Sequence, residues 1–348
     1  MTRSRERTAA VEHPGKVTET DERFKRVMAI TLNPASGYRE GIVRCITSRS
    51  GDLHFRGNVD RSELHRISGD SLEHFEIKGR LQINNESEIV GKLAGKNDFI
   101  GLEDPDIWID ENTGLMHMYF TIPVRGVDQH WTAIHLGHAV GKDLDSLEMT
   151  EPALTEDHPE LTTGVRGAKE VSIAPLNKNG TRHNLVEASE RRNGTHYSVV
   201  RVATAKDMGK PWEYGGVAFH PAEHNIPWIA GHASPGPLLP RTFIDVGEGK
   251  MLGIMNGREA NQKVSDKIKY GMFSVGLFIY DYENGKIDWV SPQPLIQDSQ
   301  AETITFASQF VETKNGEGIL YAHVDDSFVR AYTLNAEAIK SLLPSSFQ

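Results

Sequence analysis

The chain has 348 residues, 38% apolar and 25% charged, the balance of a folded globular protein. Its 48 acidic against 38 basic side chains give a net charge of −10 with no clustered cations, so a nucleic-acid partner is not expected. No apolar run approaches the roughly 20 residues that span a bilayer, and the one cysteine, Cys45, excludes an internal disulfide and reads as a small buried hydrophobe.

Residues 1–26 are polar and charged and read as an arm or a poorly ordered tail. Their opening, MTRSRERTAAVEHPGK, lacks the apolar stretch of a secretory signal, so the expected compartment is reducing and cytoplasmic. A charged arm also leaves a homo-oligomer open, the arm either clasping a neighbour or lying in solvent.

From residue 27 to 348 the chain reads as one domain built on a repeat. An apolar strand, a glycine turn and a second apolar strand occur as ITLNPASGYREGIVRCITS, DIWIDENTGLMHMYFT, SIAPLNKNGTRHNLVEAS, RTFIDVGEGKMLGIMNG and ITFASQFVETKNGEGILYAHV. The turn glycines are assigned as Gly41, Gly114, Gly180, Gly249 and Gly316, at separations of 73, 66, 69 and 67 residues. Third strands follow in the first three units at 64–67, 134–140 and 197–203, and SVGLFIYDYENGKIDWV reads as an edge hairpin of the fourth. The clearest helical segment is AEAIKSLL near the C-terminus. A period near 68 residues with about four strands per unit predicts an all-β, five-bladed β-propeller. A pair of β-sandwiches is the competing fold, but sandwich halves do not repeat one spacing four times running.

In a propeller the innermost strands converge on one channel, so polar residues at first-strand ends are the candidates for chemistry. The sharpest group is Glu103-Asp104-Pro105-Asp106, where three carboxylates within four residues repel one another and burial raises at least one pKa, as a general acid requires. A solvated turn is the bland alternative. Elsewhere stand Asn33 and Arg49, Lys169-Glu170, Glu187 inside the apolar NLVEAS, His232, Asn256-Gly257-Arg258, and His323 with Asp325 and Asp326.

No HExxH motif or short Cys/His cluster marks a metal site; His130, His135 and His138 are spaced as surface or core histidines. Phosphate loops and a serine nucleophile elbow are missing, so no cofactor is called for. Trp108, Trp131, Trp212, Trp228 and Trp289 are spread as packing residues, with one or two available to floor a sugar subsite.

Over residues 30–334 the chain resembles glycoside hydrolase family 130, the β-mannoside phosphorylases and β-mannosidases, and more distantly other five-bladed propeller glycosidases. The resemblance rests on Asn33-Pro34-Ala35 with Arg49, Glu103-Asp104-Pro105, Lys169 to Pro175, Gly236-Pro237, Tyr270 leading into SVGLFIYDYENGKIDWVSPQPLI, and YAHVDDSFVRA around Asp325. It implies Asp104 as proton donor, acting through a sugar hydroxyl, and Asn33, Arg49 and Asp325 as contacts to the non-reducing sugar. Three departures stand out: Asp106 replaces an arginine of the phosphorylases, Glu187 lies on a strand that carries arginine there, and Asn256-Gly257 replaces His-Gly. Fewer cations make a dianion a poorer guest.

The leading expectation is therefore an inverting hydrolase of a β-linked manno-type glycoside, with Asp104 as acid and Glu170 or Glu187 activating water. Asn33, Arg49, Glu103, Asp106, Lys169, His232, Arg258 and Asp325 complete the expected substrate site. A phosphorylase that gathers phosphate with Lys169, Arg258 and His232 is the first alternative, and a non-catalytic carbohydrate-binding propeller the second.

Overall fold

The computed structural model describes residues 8–18, 23–127, 132–156 and 165–348, so His130 and Trp131 lie outside the described residues. The repeats fold into antiparallel meanders that follow chain order. Val27–Leu32, Glu40–Ser50, Val59–Ser68 and Glu76–Arg80 form the first. Glu103–Ile109, Met116–Arg125, Thr132–Gly141 and Glu148–Met149 form the second, with Asp98–Phe99 added beside its second strand. Arg166–Ser172, Arg182–Arg192, Thr195–Ala205 and Glu213–Phe219 make the third. His232–Leu238, Lys250–Arg258, Phe273–Asp281 and Lys286–Val290 make the fourth. The last consists of Thr305–Lys314, Glu317–Val324 and Phe328–Asn335.

The architecture is all-β and propeller-type. Sheet pairing by itself does not count blades, because the parallel pair Ser198–His232 fuses the third and fourth meanders into one eight-stranded sheet. Apolar side chains pack between meanders. Leu252, Ile254, Val275 and Leu277 of the fourth meet Leu320, Ala322 and Tyr332 of the last. Ile30, Leu32 and Val43 of the first meet Val311, Tyr321 and Val329 of the last, so the two ends of the chain adjoin.

Gly114, Gly180, Gly249 and Gly316 have φ of 69°, 71°, 72° and 73°, the positive values that tight turns require. Gly41 does not belong with them. It lies inside a strand, where a Cβ would meet the Thr31 carbonyl oxygen at 2.2 Å, and the turn residue of that unit is Gly37 at φ 64°. A helix at Glu86–Ala94 escaped the sequence reading because it buries only Ile89, Val90 and Ala94, too few to print a long period.

Part of the expected N-terminal arm is a stitch between the two ends. Ala10–Glu12 pairs with Tyr332–Leu334 as the outer strand of the last sheet. The Val17 amide donates to the Val329 carbonyl at 2.8 Å, and the Phe75 amide of the first sheet donates to the Val17 carbonyl at 2.7 Å. Val17 is 1% exposed, so this segment buries apolar surface as well as backbone. Deleting residues 1–18 is expected to lower Tm by about 5–10 °C, read by calorimetry, from the loss of the buried Val17 and Thr18 side chains and the edge hydrogen bonds.

Candidate active site

A break in pairing register recurs in the first strand of every meander: between Met28 and Ile30, Glu103 and Asp106, Lys169 and Val171, Pro235 and Leu238, and Ala307 and Gln309. An extra residue at such a bulge is left out of the ladder and re-aims its side chain. At Ala29, Asp104 and Glu170 the bulged residue takes φ of 49°, 49° and 51°. Left-handed backbone at a non-glycine residue costs on the order of 1–3 kcal/mol and is retained where surrounding structure enforces it.

These bulges separate two cavities. One, a funnel of about 260 Å³, is lined by Arg44, Glu103, Asp104, Lys169, Glu170, His232, Arg258, Tyr270, His323 and Asp326, among others. The other, about 170 Å³, lies beyond them and is lined by Asp106, Trp108, Ser172, Gly236 and Ser308, again with Asp104 and Glu170. Asp104 and Glu170 thus face both.

Arg44 is the electrostatic anchor. Its side chain is 7% exposed; it donates to Asp104 Oδ1 at 2.9 Å and, through its second nitrogen, to Glu103. Burial opposes ionisation of Asp104, but Arg44, Lys169 and a hydrogen bond with Glu170 outweigh it and hold this carboxyl low. Burial and the neighbouring Asp104 charge push Glu170 well up. Of the two carboxyls, Glu170 is thus the one whose surroundings favour the protonated form and Asp104 the one whose surroundings favour the charge. Glu103 is raised to about 7, chiefly by burial and against the pull of Arg44.

Behind this pair Lys169 Nζ lies 4.0 Å from Glu170 and 3.7 Å from Glu187, and His232 Nε2 lies 3.1 Å from Glu187. Burial works against the Glu187 charge, yet His232 and Lys169 prevail and hold it low. Desolvation brings His232 down to about 4. Across the funnel His323 Nε2 sits 3.2 Å from Asp326 Oδ1. Against the cost of burial, His323, Arg44 and Arg49 keep Asp326 low.

Six of the expected site residues meet here: Glu103, Asp104, Lys169, Glu170, His232 and Arg258. Five stand elsewhere. Asn33 caps a short 3-10 turn beyond the end of its strand, accepting from the Ala35 amide at 2.9 Å. Arg49 clasps Asp60 through two bonds of 2.7 and 2.6 Å and donates to the Asp326 carbonyl at 3.3 Å, so it steadies the funnel wall from behind. Asp106 faces the second cavity, because the bulge reverses the strand's facing after Asp104. Glu187 is 4% exposed and lies beneath Lys169 and His232, as strand alternation dictates. Asp325 spends its carboxylate on the amides of Glu302, Thr303 and Ile304 at 2.8–2.9 Å, leaving the funnel to Asp326.

Arg44 was missed, although a cation inside the apolar run IVRCITS is itself a signal, since it must be paired to be buried there. No tryptophan among the described residues lines the funnel; Tyr270, Phe273 and Phe306 supply its aromatic surface. His135 and His138 are core residues, the latter bonded to His117 at 2.9 Å.

Burial raises Asp106 to about 7. Its folded pKa lies above the ordinary carboxylate value of about 3.9, so the fold holds an extra proton between pH 4 and 7 and loses stability as pH rises through that window. Asp106→Asn is therefore expected to be about 2–4 kcal/mol more stable than wild type at pH 8 and equal to it near pH 4, measured by urea unfolding.

No family model matches the chain, and no curated protein matches it. Solved structures do. The β-1,2-mannobiose phosphorylase of Listeria innocua superposes with a TM-score of 0.63 over 96% of this chain and 99% of its own, at 11% identity. The fold is that of the propeller-type glycosidases. A glycosyl hydrolase from Bacteroides ovatus follows at TM-score 0.61 and 18% identity, covering 90% of this chain and 85% of its own. A mannose phosphorylase from Leishmania mexicana gives 0.51 and 12%, over 92% and 86%. The resemblance drawn from the motifs thus holds as a likeness of fold.

Proposed function

We propose that this protein is a five-bladed propeller glycoside hydrolase, cleaving a β-linked manno-type glycoside with inversion. Five recurrences of the register break support the blade count. The observation that carries the chemistry is the hydrogen-bonded Asp104–Glu170 pair at the floor of the funnel. Two carboxyls in direct contact are far closer than the roughly 6.5–9.5 Å that seats a water between acid and base. They act as one acid, and the base is a different carboxylate.

In this reading Asp104 stays ionised on Arg44 and holds the proton on Glu170. Glu170 delivers that proton to the departing glycosidic oxygen, directly or through a sugar hydroxyl. Asp326, ionised on another meander, takes a proton from the attacking water as its oxygen bonds to the anomeric carbon and the glycosidic bond breaks. The products are two hydroxyl-bearing sugars, the new anomeric centre inverted. Asp326 is then reset by losing its proton and Glu170 by regaining one.

Phosphorolysis is the second reading, favoured by Arg258, which lines the funnel and forms no ion pair among the described residues. Water is preferred because the other cations of the funnel floor are committed: Arg44 to Glu103 and Asp104, Lys169 to Glu170 and Glu187. Proton NMR of β-mannobiose cleavage in phosphate-free buffer is expected to show the α-anomer first, with Glu170→Gln and Asp326→Asn each lowering kcat by about 10²–10⁴. A strict phosphate requirement would hand the assignment to the phosphorylase, and a β-anomer first product would remove inversion.

A further inference from the structure

The cavity behind the register breaks takes no part in the chemistry above, although Asp104 and Glu170 line it as they line the funnel. Its volume of about 170 Å³ far exceeds the roughly 10–15 Å³ that admits one water. A surface groove of about 660 Å³ adjoins it, for Pro240 and Phe310 line both, and the groove carries the exposed Thr313, Lys314 and Asn315. The carboxyl pair is thus bordered by the funnel on one side and, on the other, by a water-sized space that leads toward this groove.

The wall of that space suits a chain of water. Among the described residues, Asp106 is the one titratable side chain that lines it besides the pair. No charged side chain perturbs the Asp106 carboxyl, which burial raises to about 7 against a bond from the Ile107 amide. Tyr119, opposite Asp106 in the strand pairing, spends its hydroxyl on the Met208 carbonyl at 2.9 Å. Ser172 and Ser308 donate to the carbonyls of Gly236 at 2.5 Å and Ile30 at 2.9 Å, so their oxygens keep lone pairs for water. Ordered water is expected in a polar cavity with room for it and several partners.

We propose that Asp106 is a proton relay that recharges Glu170 from behind, through water held in this cavity. This rests on the glycoside reading, in which Glu170 has given its proton to the departing oxygen while the two sugars still cover it in the funnel. Asp106 releases a proton to a neighbouring water, and the far end of the chain passes one to the Glu170 carboxylate. Asp106 then takes a proton from solvent by way of the groove, matching the one that Asp326 gives up. A carboxyl poised near 7 both gives and regains a proton at neutral pH, and Glu170, pushed well up by burial and the Asp104 charge, accepts it. The relay acts after the glycosidic bond has broken, and hydrolysis in water is effectively irreversible, so it governs kcat without entering kcat/KM.

Initial rates of β-mannobiose cleavage by wild type, Asp106→Asn and Asp106→Glu in dilute buffer at pH 7, in H₂O and in D₂O, read that signature. Asp106→Asn is expected to lower kcat by about tenfold or more, lower KM in proportion and leave kcat/KM unchanged. Its solvent isotope effect on kcat should exceed that of wild type, and Asp106→Glu, which keeps a carboxyl, should restore most of the loss. Urea unfolding of the same samples guards against a lost fold as the cause. An unchanged kcat in Asp106→Asn would overturn the relay while leaving the glycoside reading intact. A fall in kcat/KM alongside kcat, an isotope effect no larger than wild type, or a loss that Asp106→Glu does not restore would overturn it as well, leaving Asp106 a structural role. Failure of wild type to cleave this or any β-linked mannoside would bring down the glycoside reading and the relay together.

Discussion

Asp104→Asn is expected to lower kcat by about 10²–10⁴ at neutral pH and to move the optimum toward acid, with part of the lost activity recovered there. The direction follows from the contrast between the two carboxyls. Burial and the Asp104 charge together hold Glu170 well up, so removing that charge lets Glu170 ionise earlier as pH rises. The protonated acid then survives only at lower pH. Glu170→Gln removes the proton itself and has no such recovery. Initial rates of both variants across pH 4–8 make the comparison, with circular dichroism to verify the fold. An Asp104→Asn profile parallel to wild type would mean that Asp104 does not control the proton on Glu170.

Arg44→Met is expected to destabilise the protein by about 3–5 kcal/mol at pH 8, the usual cost of stranding buried charge. Arg44 is 6% exposed and holds both Glu103 and Asp104. Asp104, whose folded pKa is depressed, contributes stability above its ordinary value of about 3.9 and loses it as pH falls through the folded pKa. The stranded carboxylates of the variant can protonate as pH falls. Its deficit should therefore narrow toward pH 4, as read from urea midpoints at several pH values. A deficit independent of pH would indicate lost packing, with no electrostatic anchor at this position.

The repeat was legible because its signals are local. Gly114, Gly180, Gly249 and Gly316 occupy turns that demand positive φ, and apolar alternation marks the strands between them. The carboxylates Glu103, Asp104 and Glu170 were legible for a related reason: they sit at first-strand positions that any propeller brings to its axis. Facing was harder to read. A bulge at Asp104 reverses the side of everything after it, so Asp106, two residues on and expected beside it, lines the opposite cavity. The choice between Asp325 and Asp326 likewise turned on which carboxylate the backbone of residues 302–304 would capture, a contact across 21 or more positions that no local pattern encodes.

Arg44 illustrates the same limit from the other side. A buried cation announces that it needs anions but not which ones, and its partners lie 59 and 60 residues away. By contrast, the N-terminal segment reads as polar because its single deeply buried apolar residue, Val17, is too little to print a pattern, although it joins the first and last sheets.

A crystal structure of Glu170→Gln soaked with an uncleaved β-linked disaccharide tests the central assignment most directly. The scissile oxygen should lie within about 3.2 Å of residue 170 or of a sugar hydroxyl that it touches, with Asp326 facing the anomeric carbon across a single water. A disaccharide bound with that oxygen out of reach of both Asp104 and residue 170, or seated in the cavity lined by Asp106 and Trp108, would contradict it.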